Sequence, residues 1–189
     1  MSGTVTATFS PPSGNFWTVN DIQVSAPVVT ETDTGTVESF IGGSSPFTFS
    51  TSYFGPLGLS TVSWGAGHAG VSTAGSGFTL NFNYNLTVTG ANTITALSQV
   101  VFTDITIGSF NLSATETVTD PIGHVVATDV WNPTSGSPTI SLGSGYTNLS
   151  VSITVQASIG IGQSGTVEFS SLSQSYFETP VTPAPGTPP

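Results

Sequence analysis

The sequence predicts an all-β fold, an antiparallel β-sandwich or jelly roll, over residues 1–179, with a Pro-rich linker or tail over 180–189. Three features lead there: period-2 alternation, turn residues at short intervals, and no stretch with a 3.6-residue period. Phe78, Leu80, Phe82, Tyr84, Leu86 and Val88 alternate with Thr79, Asn81, Asn83, Asn85, Thr87 and Thr89. Side chains on a strand point alternately to opposite faces, so this segment puts an apolar row on a core and a polar row in water. Val151, Ile153, Val155, Ala157 and Ile159 do the same against Ser152, Thr154, Gln156 and Ser158. Shorter versions are Val5/Ala7/Phe9, Phe110/Leu112/Ala114 and Val125/Ala127 with Trp131 beyond.

Strands are expected near 3–9, 16–25, 27–32, 36–41, 46–53, 60–64, 77–89, 93–107, 109–119, 122–131, 137–142, 149–159 and 165–177, some of them merging or dissolving. Turn signals fall between them at Ser13-Gly14-Asn15, Asp33-Thr34-Gly35, Gly42-Gly43-Ser44, Gly90-Ala91-Asn92, Asp120-Pro121-Ile122-Gly123 and Ser135-Gly136-Ser137. There is no repeat of the length a solenoid requires. The segment Pro180–Pro189 is too dense in Pro to lie inside a sheet and is expected to be an extended linker or stalk.

The 189 residues include no Cys, so packing and sheet hydrogen bonds alone hold the fold. They also include no Lys or Arg against ten Asp and Glu, a formal net charge of −10. Nucleic-acid binding is excluded on that ground, because it draws on basic side chains neutralising phosphates. Docking on anionic lipid is disfavoured, and no stretch is apolar enough to insert in a bilayer. With 37% hydrophobic residues and twelve Phe, the chain is expected to fold. Its polar, uncharged Ser/Thr/Gly composition points to an extracellular or cell-surface setting. Met1 has no basic and apolar leader after it, and is expected to start a mature fragment whose export signal has been removed.

Catalytic motifs fail on context. Gly65-Ala66-Gly67-His68-Ala69-Gly70 and Gly160-Ile161-Gly162-Gln163-Ser164-Gly165 match a dinucleotide fingerprint, but neither opens a helix that would meet a pyrophosphate. A nucleophile elbow is absent. His68 and His124 are the only imidazoles, and each suits a loop or a strand-edge turn. No catalytic residue and no cofactor is assigned, save Ca2+ as a candidate at Glu31, Asp33 and Glu38. These surround an expected hairpin turn and would offer hard oxygen ligands; the same triad also reads as a solvated turn. Trp17, Trp64 and Trp131 are candidates for stacking on a sugar, with core filling as the alternative. Asn85, Asn111 and Asn148 head N-glycosylation sequons.

In overall texture the chain resembles exported bacterial proteins of the PEP-CTERM-sorted type, in which a Ser/Thr/Gly-rich β domain precedes a Pro-rich juncture. The tail here has Thr182-Pro183-Ala184-Pro185 and lacks the Pro-Glu-Pro, apolar helix and basic cluster of that signal. The resemblance implies display in a polysaccharide-rich matrix. The chain is also similar in character to β-rich filament subunits of prokaryotic surfaces, where a strand such as Gly3–Phe9 would complete a neighbour's sheet. These readings lead to a non-enzymatic structural or adhesive surface module, self-associating by strand addition; the alternative is a carbohydrate-binding module that holds extracellular polysaccharide. Ice binding would want a regular Thr array, and Thr is not regularly spaced along the chain.

Overall fold

A computed structural model describes residues 3–11, 14–38, 47–55, 58–65, 69–135 and 139–180. The side chains of Glu38, Val100 and residues 102–105 lie outside that description, as do His68, the Gly42-Gly43-Ser44 turn and the tail from 181. The described chain is all strand and loop. In order the strands are β1 (Gly3–Thr8), β2 (Phe16–Val19), β3 (Ile22–Thr34), β4 (Val37–Glu38), β5 (Thr48–Phe54), β6 (Leu59–Gly65) and β7 (Ala69–Val71). There follow β8 (Gly77–Val88), β9 (Asn92–Gly108), β10 (Asn111–Thr119), β11 (Val125–Trp131), β12 (Thr139–Tyr146), β13 (Asn148–Ser158) and β14 (Gly165–Pro180).

They form two antiparallel sheets packed as a sandwich. One, here sheet A, runs β1-β3-β8-β13-β10-β11, with β2 sharing the β3 edge. The other, sheet B, runs β12-β9-β14-β6-β5, with β7 on β14 and β4 on β7. The two most regular sequence segments, β8 and β13, are neighbours at the middle of sheet A. Their alternation places Phe78, Leu80, Phe82, Val151, Ile153 and Val155 in the core. Trp64 of β6 is fully buried opposite them, edge-on to Phe9 and Phe49 at 5.1 and 4.7 Å and tilted against Phe82 at 5.3 Å. These ring geometries are the favoured offset and T-shaped ones.

Two expectations need correcting. The segments 16–25 and 27–32 are divided elsewhere: β2 and β3 meet at a tight Asn20–Asp21 turn, with Asn20 at φ 53°. Asn tolerates this left-handed backbone, and the bulge between Ser25 and Val28 then lets one long strand continue through Ala26 and Pro27. The acidic turn at 33–36 is not a hairpin. It is the corner where the chain leaves sheet A at Thr34 and enters sheet B at Val37. Gly35 turns there at φ 71°, directly against Ser76, whose Oγ accepts a hydrogen bond from the Thr36 N–H at 2.9 Å.

Candidate functional site

The outer face of sheet A is a two-dimensional array of short neutral polar side chains. Strand register builds it row by row. Thr4, Thr32, Thr79, Gln156 and Ser113 form one row, and Thr6, Thr30, Asn81, Thr154 and Thr115 the next. Asn83, Ser152, Thr117 and Thr128 form a third, and Asn85, Ser150 and Thr119 a fourth. Directly opposed residues lie about 5 Å apart, close enough to hydrogen-bond. Thr154 donates to Asn81 Oδ1 and Ser150 to Asn85 Oδ1, both at 2.8 Å, while Thr87 donates to Asn148 Oδ1 at 3.1 Å. These bonds fix the amide planes and leave the Asn81 and Asn85 N–H2 groups able to donate outward, while that of Asn148 donates to Thr147 Oγ1 at 3.2 Å. Two grooves cross the face at opposite ends. One of about 450 Å³ is lined by Thr32, Thr79, Asn111, Ser113, Gln156 and Ser158. The other, of about 190 Å³, runs past Asn83, Asn85, Thr117, Thr119 and Ser152.

Asn85, Asn111 and Asn148 all lie exposed on this face or its rim. Two of the sequons interlock, since Thr87 of the first bonds Asn148 and Ser150 of the third bonds Asn85. The Trp residues lie elsewhere. Trp64 and Trp131 are core residues, which corrects their candidacy as a sugar platform: each falls on the inward parity of its strand. Trp17 is half-buried, its ring 4.6 Å from Phe49.

The acidic candidates separate as well. Glu31 is fully buried on the inner face of β3, and Asp33 is partly buried two residues on. Burial raises the Asp33 pKa, an effect opposed by the neighbouring Glu31 carboxyl. Among the described residues no three acidic, His or Cys side chains converge on one point. At one end of the sandwich Glu178 accepts hydrogen bonds from Ser60 and, at 2.8 Å, from Asn20; burial and the nearby Asp21 carboxylate raise its pKa. His124 lies in the β10–β11 turn, exposed, 3.6 Å from Asp120, whose carboxylate also accepts the His124 and Ile122 N–H groups. The second Gly-rich stretch, 160–165, joins β13 to β14 without a helix.

One polar group was not singled out in the sequence. Glu116 of β10 and Asp129 of β11 face one another across the strands, both buried inside the sandwich. Gln99 of β9 and Gln174 of β14 are likewise opposed in sheet B and fully buried. Tyr84 and Tyr176 meet between the sheets with hydroxyls 2.5 Å apart. Burial first, then the charge of Asp129, pushes the Glu116 carboxyl up to about 8, while the adjacent Gln174 amide pulls it back. Burial pushes both tyrosines well above their ordinary range, helped by Glu116 at Tyr84 and by Tyr84 and then Glu116 at Tyr176. The signal for this group was present in the sequence: Leu112/Ala114 and Ala127/Trp131 set an inward parity on which Glu116 and Asp129 also fall.

No family model and no curated protein matches the chain. Among solved structures, a likeness is found to TmCBM61 in complex with β-1,4-galactotriose, at 13% identity and TM-score 0.38, over 72% of this chain and 89% of that one. A second is to accessory secretory proteins 1, 2 and 3 of Streptococcus pneumoniae, at 14% identity and TM-score 0.37, over 68% and 89%. A third is to the tailspike protein 4 of bacteriophage CBA120, at 12% identity and TM-score 0.31, over 91% and 19%. All three likenesses are too loose to carry an argument about function.

Proposed function

We propose that the chain is a non-enzymatic extracellular surface module that adheres to neutral polysaccharide through the outer face of sheet A. The observation that carries this is the register-built array of Thr, Ser, Asn and Gln, grooved at both ends and without a charged side chain in the rows described. Such groups match the hydroxyls of a neutral glycan one for one, and the sheet holds them in place before the ligand arrives. Asn and Gln interrupt the Thr rows, and the grooves break the plane; both favour a ligand with its own hydroxyls over a flat ordered water layer.

Affinity electrophoresis through gels containing soluble neutral polysaccharides tests this, with an anionic polysaccharide as the control. Retardation by at least one neutral polymer is expected. Replacing Thr79 and Gln156 together by Ala should weaken it roughly thirtyfold, since each lost hydrogen bond is worth about 1 kcal/mol. Free migration in every gel would sink the reading.

Self-association by strand addition is a second reading, favoured by β1. That strand is exposed along nearly its whole length and, among the described residues, is paired only to β3. If β1 moves into a neighbour's sheet, Thr6→Pro should abolish the assemblies that light scattering detects in the parent protein.

A further inference from the structure

We propose that the interior of the sandwich is a binding site for one divalent cation, Ca2+ by its chemistry, held by Glu116, Asp129, Gln99 and Gln174. The two carboxylates belong to sheet A and the two amides to sheet B, so the ion would pin the sheets together. Glu116 Oε1 and Oε2, Asp129 Oδ2, and both amide atoms of Gln99 and Gln174 are buried without a hydrogen-bond partner. A buried polar group left unpaired forfeits its hydration without return, so clustering them in a core this apolar calls for a partner.

No Lys or Arg exists in the chain to pair with these carboxylates. One shared proton would satisfy a single acceptor and leave a net negative charge in the core. A divalent ion instead balances both carboxylates and engages the two amide carbonyls. Carboxylate and carbonyl oxygens are the hard ligands that Ca2+ prefers, and its irregular six-to-eight-fold shell suits a set drawn from two sheets better than the strict octahedron of Mg2+. Without His or Cys among these residues, zinc and copper are disfavoured. The nearby Tyr84 and Tyr176 hydroxyls are further oxygens in the core. The site is distinct from Glu31, Asp33 and Glu38, and from the Asp21–Glu178 pair at the sandwich end.

The site is closed, so it would load during folding. The full chain should be denatured with chelator, refolded with Ca2+, desalted and assayed for retained calcium by atomic spectroscopy. A stoichiometric equivalent is expected in the parent protein and in the variant Asp21→Asn with Glu178→Gln. None is expected in Glu116→Gln with Asp129→Asn, which keeps side-chain shape and removes charge. Gln99→Met keeps both carboxylates, and should weaken retention roughly tenfold or more. In a parallel refolding with Tb3+, emission excited through tyrosine should have a lifetime that D2O barely changes, as for a dry site. Loss of all calcium on desalting, retention by the doubly neutral core variant, or a strong D2O effect on the lifetime would each overturn the proposal.

Discussion

Glu116 shows how far a single residue can depart from its solution chemistry. Its ordinary value of 4.5 is pushed up to about 8 in the fold, because burial and Asp129 both oppose its charge. Between these values the folded state keeps a proton that the unfolded state has released. This contribution therefore stabilises the fold as pH falls from about 8 toward 4.5, and is flat outside that window. Asp129 is the carboxyl that faces it, and the remaining neighbours Tyr84, Tyr176 and Gln174 stay neutral across the window. In chelator, Glu116→Gln should lessen the slope, leaving the contributions of Asp33 and Glu178, and be more stable than the parent at pH 8, on the order of a few kcal/mol. Urea titrations across pH measure this; parallel curves for the two proteins would contradict it.

At the scale of elements, the crossing corner between β3 and β4 is a tightly constrained link. Gly35 combines a positive φ with direct contact against Ser76, and Ser76 in turn fixes the Thr36 N–H. Gly35→Ala is expected to lower stability by roughly 2 kcal/mol through backbone strain alone, with more from the contact. Denaturant unfolding reads the loss, and an unchanged midpoint would show that the corner yields. The same corner explains why Glu31 and Asp33 are not a hairpin's paired acids: both belong to a strand whose inward parity takes Glu31 into the core.

The whole molecule carries its charge in an unusual place. The formal charge is −10, and three of the acids that make it, Glu31, Glu116 and Asp129, are buried. What remains outside is uncompensated by any Lys or Arg, and self-repulsion keeps molecules apart. Light scattering should therefore rise on acidification or on addition of Ca2+. If β1 exchange drives the association, Thr6→Pro should leave the signal flat under both titrations. If the signal still rises in Thr6→Pro, the association runs through another surface.

Alternation along 77–89 and 149–159 was enough to place β8 and β13, because a period of two has only one structural consequence in a half-buried sheet. The same parity, continued along 109–119 and 122–131, made the burial of Glu116 and Asp129 legible in principle. The short β7 and the division of 16–32 were not legible, since local turn chemistry at Asn20 and bulging at Ala26 competed with the strand pattern. Which Trp would be exposed depended on strand parity at β6 and β11, and the outer array depended on register between strands far apart in the chain. Composition and periodicity act along the chain, so they settled an all-β fold. Register acts across it, and only the packed sheets could align the Thr and Asn rows outside and bring two acids to two amides within.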